Sequence, residues 1–598
     1  MKEFFKMTLA TMCGIVLLSV VAGILFMISL VGIMASDSAA TKVKENSVFV
    51  LKLNGVVDER AEEGSPFSSL LNEADMEQMG LDDLLASIKK AKDEDEVKGI
   101  YIEGGIASFD SPATAQQLRD ALLDFKKSGK WIIAYADQYM QTSYYVASVA
   151  DSVFLNKTGM VDFKGLGGKY EYMTGLYEKL GIKYQATRVG KYKSAVERVT
   201  RKDMSDNDRE QRTAYLQGVW QHMLNDMADS RKVTAQQLDQ LASDSIMAFA
   251  NANDYVKAKL VDGLMYPDEI KKLIKDKLAM GDDDEDINQL TLTDMIGVKS
   301  KKKEDGDKIA IYYAYGEIVD KVASSFSSEQ NIVGSTTVEE LNKLAKDDDV
   351  KAVVLRVNSP GGSAVASEQI WHAVQQLKEK KPVVVSMGGL AASGGYMISA
   401  GASYIIAEPT TLTGSIGIFG LIPNLSGLVT DKLGVTFDGV KTNRYGDFEE
   451  NLVMAKDNSE ELRYMQGYVD RGYETFLSIV GQGRSLTRDE VDSIAQGRVW
   501  LATDALPIKL VDQLGSLDDA VKKAAELAKL EGEYYTATYP EKTDWIDNLF
   551  DSEKNKGSYL DSELRTLLGD LYEPVMQLRM DQQRNRLQAR LPFSTKVE

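Results

Sequence analysis

Lys259-Leu260-Val261-Asp262-Gly263-Leu264 returns about 250 residues later as Lys509-Leu510-Val511-Asp512-Gln513-Leu514. Two further anchors repeat at nearly the same offset. Asp95-Glu96-Val97-Lys98 returns as Asp348-Asp349-Val350-Lys351, and Lys179-Leu180-Gly181 returns as Lys432-Leu433-Gly434. A chain of 598 residues that repeats itself in this way reads as a tandem duplication with two large domains. The two copies differ where chemistry would sit. Ala391-Ala392-Ser393-Gly394-Gly395-Tyr396 overlays Met140-Gln141-Thr142-Ser143-Tyr144-Tyr145, which places Thr142 against Ser393 and lacks the glycine pair. Tyr192-Lys193-Ser194 overlays Tyr445-Gly446-Asp447, which has no lysine. Each copy holds what the other lacks, so a site using both would lie where the domains meet, one per chain.

Outward from the anchors, apolar β-branched runs alternate with amphipathic helical runs. Ser47 to Leu53, Ile100-Tyr101-Ile102 and Trp131 to Ala134 are such runs in the first copy. Ala352 to Val357 and Val383 to Ser386 are their counterparts in the second. Short continuous apolar strands separated by helices predict an α/β fold with a parallel sheet buried on both faces. The expected domains are 47–280 and 307–540, joined by a charged, exposed connector over 281–306. The run Gly281 to Asp286 is acidic but lacks the Asp-x-Asp-x-Asp-Gly spacing of a calcium loop, so it reads as solvated linker. The tail, 541–598, is predicted helical, with Leu560, Leu564, Leu567, Leu568 and Leu571 at roughly helical spacing.

Composition narrows the chemistry. The formal net charge of -20 argues against a nucleic-acid partner, because phosphate binding needs a basic face. The one cysteine, Cys13, lies in the apolar N-terminus, which excludes internal disulfides, cysteine metal sites and a thiol nucleophile in the folded body. The two histidines, His222 and His372, sit in strongly helical surroundings far from the glycine-rich segments and read as structural or surface groups. Proton transfer then falls to lysine, carboxylate or tyrosine.

The N-terminus predicts a compartment. From Met7 to Ser36 there is no charged residue, and about 20 apolar residues suffice for a helix to cross the hydrocarbon core. Lys2 and Lys6 precede the run, which places the N-terminus in the cytoplasm and the body across the membrane. A cleaved signal sequence ending near Met34-Ala35-Ser36 is the competing reading. An uncleaved anchor over residues 1–36 is the expectation.

The richest segment runs from Val384 to Ile418. A buried strand leads into Gly388-Gly389-Leu390-Ala391-Ala392-Ser393-Gly394-Gly395, and a helix follows. Small residues at this junction let another backbone approach closely. A serine there can expose its hydroxyl, with the Gly394 amide aimed where an oxyanion would develop. The plainer reading makes Ser393 an N-cap. A second glycine-rich strand end, Asn358-Ser359-Pro360-Gly361-Gly362-Ser363, favours the first reading. Two such ends on adjacent parallel strands form a crevice, and Gly361 or Gly362 could supply a second donor. No phosphate loop is present, so no nucleotide is implied. With histidine set aside, a lysine lowered by burial is the main option for a base. An ordinary lysine, with a pKa of about 10.4, is neutral less than about 0.1% of the time at pH 7. Lys191 and Lys193 are equal candidates on this reasoning.

These segments resemble the signal peptide peptidase A family of membrane-anchored serine proteases, in its long, duplicated form. The resemblance is carried by Val357 to Ser363, Val384 to Tyr396, Leu412-Thr413-Gly414-Ser415-Ile416-Gly417 and Tyr192 to Glu197. It implies a tandem pair of Clp-protease/crotonase-like superhelical domains and a Ser/Lys dyad. Ser393 would be the nucleophile, Lys193 the base, and Ser415 the hydroxyl that orients the lysine. The amides of Gly362 and Gly394 would form the oxyanion hole, with Gly361 as the alternative to Gly362. No cofactor or metal is implied. The implied substrates are cleaved signal peptides, the implied assembly a homotetramer, and the implied site the bacterial inner membrane. Arg198 departs from the family pattern, where proline is expected, but lies beyond the dyad.

Two rival readings predict different things. A crotonase-type acyl-thioester enzyme would need carboxylates and a coenzyme A site, and neither Ser393 nor Lys193. An inactive membrane scaffold would show erosion of the chemistry in both copies, and the second copy shows none. The separation of Lys193 from Ser393 allows closure within one chain or between neighbouring chains.

Overall fold

The computed structural model describes residues 41–61, 78–244, 247–281, 286–301, 306–320 and 330–542, and the backbone of 587–590. The anchor expected over residues 1–36, much of the acidic run and the leucines of the tail lie outside these residues. Among the described residues no helix is long and apolar enough to cross a membrane.

The first copy contributes strands β1 (Ser47–Asp58), β2 (Val97–Phe109), β3 (Trp131–Tyr139), β4 (Ser152–Val161) and β5 (Lys183–Arg188). Strands β1 to β4 are neighbours in sequence order and all parallel. Their crossovers include helices α1 (Pro112–Lys126) and α2 (Gln141–Ala147), and the long helix α3 (Asp206–Arg231) follows β5. Helix α1 starts where its sequence dictates. Ser111 accepts the Thr114 amide and Pro112, with no N–H to lose, takes the first turn.

The second copy repeats the plan with β6 (Asp307–Tyr315), β7 (Glu317–Val319), β8 (Val350–Ser359), β9 (Gly361–Ser363), β10 (Val383–Ala392), β11 (Leu412–Gly414) and β12 (Phe419–Asn424). Strands β6, β8, β10 and β11 are consecutive parallel neighbours. Helices α4 (Ala364–Lys378), α5 (Gly394–Ala400) and α6 (Glu460–Arg484) correspond to α1, α2 and α3. Val353, Val354, Leu355, Val383, Val384 and Val385 are all fully buried, as a sheet covered on both faces requires.

The repeated anchor has a structural cause. Asp262 receives the Arg231 guanidinium at 2.8 and 3.0 Å and the Val153 amide at 2.7 Å. Asp512 receives Arg484 at 3.0 Å and the Ile405 amide at 2.8 Å. The neighbouring Leu260 carbonyl accepts Tyr144 Oη at 2.7 Å, and Leu510 accepts Tyr396 Oη at 2.9 Å. In each copy the anchor ties the end of the long helix to the sheet and to the short helix that follows the third strand. A bidentate arginine–carboxylate pair is specific about geometry, which explains why both copies keep these residue types.

A third sheet mixes the copies. Its order is Asn331–Val333, β7, β9, β13 (Leu587–Arg590), β12 and β5. Strand β5 of the first copy runs antiparallel to β12 of the second, from Arg188 opposite Phe419 to Lys183 opposite Asn424. This pairing carries the chain after β5 into the second copy.

Two expectations need correction. The connector is more ordered than its charge suggested: Gln289–Leu290 pairs with β1, Leu292–Gly297 is helical, and Ile287, Leu290, Met295 and Val298 are buried. Its apolar residues, spaced among lysines and aspartates, are enough to seat it on the first copy. The tail was expected to be helical, and the four of its residues from 587 to 590 form strand β13, because an unfilled place in the mixed sheet offers them backbone partners.

The apolar run Ala352 to Val357 hides one exception. Arg356 is buried within it and reaches into the first copy, where its Nε lies 2.6 Å from Glu59 Oε1. Its other nitrogens donate to Gln117 Oε1 at 2.7 Å and Ser386 Oγ at 2.9 Å. A buried ion pair stripped of one partner leaves an uncompensated charge, at a cost of about 3–5 kcal/mol. Arg356→Met is therefore expected to lower the unfolding free energy by about 3–5 kcal/mol, and adding Glu59→Leu to recover more than half of the loss. Urea unfolding of the two variants checks this.

Candidate active site

Strand β10 ends at Ala392 and helix α5 starts at Gly394. Ser393 turns the chain between them with φ 56° and ψ −115°. A non-glycine residue at positive φ is strained and persists only where its surroundings hold it. Here the Ser393 amide donates to the Gly414 carbonyl at 2.8 Å, so β11 pins the turn. The side chain makes no capping bond to α5. The N-cap reading of Ser393 thus fails for its hydroxyl, which is directed elsewhere.

That hydroxyl meets Lys193, whose Nζ lies 2.8 Å from Ser393 Oγ. Nζ also lies 3.0 Å from Ser415 Oγ and 3.0 Å from the Ser415 carbonyl oxygen. Lys193, Ser393 and Ser415 are all fully buried. Lys193 and Ser393 thus meet within a single chain. Lys191, the other lysine candidate, is exposed and lies over the ring of Tyr192, with its Nζ 5.1 Å from the ring centroid. Neither histidine is bonded to Ser393: His222 lies on α3 near Asp226, and His372 is exposed on α4 beside Gln376.

Burial pushes the Lys193 amine well below the ordinary lysine value. Its bonded neighbours are two hydroxyls and a carbonyl, and no carboxylate restores the charge. A neutral amine has two N–H groups and one lone pair. The two Ser415 oxygens can take the former, and the lone pair is left for the Ser393 hydroxyl proton. Ser415 itself sits at φ 50°, held by its amide donating to the Arg498 carbonyl at 2.7 Å.

The glycines at the second strand end divide unequally. The Gly361 amide donates to Ser359 Oγ at 3.1 Å and is therefore already engaged. A Cβ at Gly362 would stand 2.0 Å from the Ile318 carbonyl oxygen, so only glycine fits against β7. Gly394 opens α5, where the first amides of a helix have no intrahelical partner. A Cβ there would stand 3.2 Å from the Gly361 Cα, which brings the two glycine-rich ends together.

Sequence reasoning missed several supporting groups. Asn358 accepts the Leu390 amide at 3.0 Å and donates to Asp110 at 2.7 Å and Glu59 at 3.1 Å. It therefore cross-links the ends of β8 and β10 to two carboxylates of the first copy. Burial, then the Glu59 charge, push Asp110 up to about 6. Gly497 has φ 75°, and a Cβ there would stand 2.6 Å from the Lys193 Cβ. No spacing in the chain links these positions. Only the adjacency of Asn358 to the Ser-Pro-Gly-Gly segment was a signal.

A serine at a strained strand-to-helix turn, a buried lysine against it and glycine amides beside it are the parts of a Clp-like serine peptidase. Comparison with known proteins agrees. The pattern of Peptidase family S49 matches residues 124–281 and 375–531, together more than half of the chain, and that of Clp protease matches 315–411. Protease 4 of Salmonella typhi is 36% identical over 485 residues, covering 80% of this chain and 76% of that protein. Protease 4 of Haemophilus influenzae is 34% identical over 522 residues, covering 84% and 83%. A putative signal peptide peptidase SppA of Enterococcus faecium is 32% identical over 286 residues, covering 45% and 82%. The chain belongs to peptidase family S49, in duplicated form, and is a serine protease.

The buried amine makes a stability prediction with a definite sign. Its pKa is depressed in the folded state, so between that value and the ordinary lysine value of about 10.4 the unfolded chain binds the extra proton. Stability contributed by this group then rises with pH across the window. Lys193→Met is expected to raise the melting temperature at neutral pH, with the gain shrinking as pH approaches about 10. Thermal melts of both proteins from pH 6 to about 10 test it.

Proposed function

We propose that the protein hydrolyses apolar peptides with Ser393 as nucleophile and Lys193 as general base. The observation that carries this is the 2.8 Å separation of Lys193 Nζ from Ser393 Oγ in a fully buried setting. Neutral Lys193 takes the hydroxyl proton as Ser393 Oγ attacks the peptide carbonyl. The oxyanion is held by the amides of Gly362 and Gly394, each worth about 3–4 kcal/mol of transition-state stabilisation. Protonated Lys193 hands its proton to the leaving amine. Water, deprotonated by the same lysine, then releases the acyl group. Ser415 orients the amine through both its oxygens.

Remnant signal peptides are the proposed substrates. The name of the Enterococcus faecium relative and the family resemblance support this. The uncharged run from Met7 to Ser36, preceded by Lys2 and Lys6, supports anchoring in the bacterial inner membrane with the body on the extracytoplasmic side. Assembly as a homotetramer rests on the resemblance alone. The thioester and scaffold readings give no reason for a buried lysine against Ser393.

Ser393→Ala and Lys193→Ala are each expected to abolish cleavage of a fluorogenic apolar peptide while leaving the far-ultraviolet circular dichroism unchanged. Labelling by a serine-directed fluorophosphonate is expected in the wild type and absent in Ser393→Ala. Full activity in Lys193→Ala would overturn the dyad. Ser415→Ala removes one hydrogen bond to a charged intermediate and is expected to lower kcat by about 10- to 100-fold.

A further inference from the structure

The loop that carries Lys193 is tied to the second copy by a single side-chain amide. Gln211, buried on α3, donates from Nε2 to the Tyr192 carbonyl at 3.0 Å, to Ser194 Oγ at 3.1 Å and to Asp208 Oδ1 at 3.0 Å. Its Oε1 accepts the Val499 amide at 3.2 Å. Tyr192 and Ser194 flank Lys193 in the chain. Val499 begins the short strand Val499–Leu501, which lies antiparallel to β11 with Val499 opposite Gly414. The Gly414 carbonyl takes the Ser393 amide, and the carbonyl of Arg498, next to Val499, takes the Ser415 amide. One side chain of the first copy therefore joins the residues on either side of the lysine to the segment that holds both serine turns.

The bridge needs an amide. A carbonyl waits at one end and an N–H at the other, and only a group that both donates and accepts spans them. The second copy shows what the same place holds without a lysine loop. Counted from the capping serines Ser205 and Ser459, Gln211 of α3 falls where α6 has Met465, which packs with Ile422 and Leu452. The charged groups around the lysine loop are paired among themselves. Arg212 meets Asp208 at 2.7 Å, Arg498 meets Glu210 at 3.0 Å and Arg188 meets Glu197 at 3.6 Å. Burial is the one cause that lowers the Lys193 amine. That burial depends on how closely the segment before Val499 is pressed onto the lysine. A Cβ on Gly497 would stand 2.6 Å from the Lys193 Cβ and 2.7 Å from its backbone nitrogen.

We propose that Gln211 is a positioning residue of the dyad: by tying the Tyr192 carbonyl to the Val499 amide it closes the second copy over Lys193, aligns the amine with Ser393 and keeps water from it. The inference rests on the Lys193 role proposed above. Gln211 has no bond to Lys193 Nζ or to Ser393, and it acts through the backbone on either side of them. Without it the buried Val499 amide loses its partner, and the lysine loop and the strand are free to part. Water then reaches the amine. Its pKa rises toward the ordinary lysine value, and a smaller fraction is neutral at any given pH.

The pH dependence of cleavage of a fluorogenic apolar peptide by the full chain, purified in detergent, tests this. In the wild type kcat/KM rises with pH as Lys193 loses its proton. In Gln211→Met, kcat is expected to fall about 10- to 100-fold with KM near its wild-type value, and the rising limb to move to higher pH by about one unit or more. Gln211→Asn keeps both polar groups on a chain one carbon too short to span the two ends. It is expected to move the limb the same way, and it carries the test where Gln211→Met does not fold. Tyr144→Phe, which deletes the buried hydrogen bond to the Leu260 carbonyl, is the control for lost stability, and its limb is expected to stay in place. A limb unmoved in the Gln211 variants, with activity falling only as folded protein is lost, overturns the positioning role. So does wild-type activity in Gln211→Met, or an equal displacement in Tyr144→Phe. Each of these leaves the dyad standing, whereas full activity in Lys193→Ala overturns the dyad and this inference with it.

Discussion

The desolvation of one amine is the constraint around which this molecule is arranged. Lys193 is fully enclosed, and burial alone lowers its pKa. A charge in such a place would cost several kcal/mol, so burial favours the neutral form. Neutrality is what lets a lysine receive a serine proton. It needs walls on every side, and neither copy supplies them all. The first copy brings the lysine on the segment after β5. The second closes over it with Ser393, Ser415 and Gly497. The antiparallel pairing of β5 with β12 and the buried Arg356–Glu59 pair hold the copies in this relation.

Strain is part of the same arrangement. Ser393 and Ser415 both sit at positive φ, a conformation costing of order 1–3 kcal/mol each. Each is restrained by a backbone bond, Ser393 to Gly414 and Ser415 to Arg498. The turns point both hydroxyls at one nitrogen. Relaxing either would restore an easier backbone and lose the contact. Asn358, tied to Asp110 and Glu59, steadies the two strand ends just before these turns. The first copy therefore contributes support as well as the buried lysine.

The duplication explains which residues stayed alike. Asp262 and Asp512 perform the same task, as do Tyr144 and Tyr396. Both tasks are scaffolding, and each copy needs its own. Residues used once were free to diverge. With Tyr144 matched to Tyr396, Gln141 and Thr142 stand opposite Ser393 and Gly394, one place away from the overlay read in the sequence; among the described residues Thr142 and the next residue, Ser143, are buried with hydroxyls that lack a hydrogen-bond partner. The segment of the second copy that overlays the lysine loop, around Tyr445 and Gly446, is exposed.

The sequence by itself determined the duplication, the parallel α/β plan and the short set of groups able to do chemistry. These are local or periodic properties, written in apolar runs, in glycines at strand ends and in the near absence of histidine and cysteine. It also marked Ser393 as unusual among serines, through the small residues around it. What only the tertiary structure decided was which groups meet. Lys191 and Lys193 share a local environment in the sequence, and they part only because β5 docks on β12 and turns one inward. The Gly361 amide turns to the Ser359 hydroxyl, a contact that no spacing announced. Arg356 looked like an interruption in an apolar strand until Glu59 came to face it. The strand at 587–590 could not be read from the helical spacing of the tail, since a strand exists only where partners wait. In each case the deciding partner lies far along the chain, and distance along a sequence carries no information about contact until the backbone has folded.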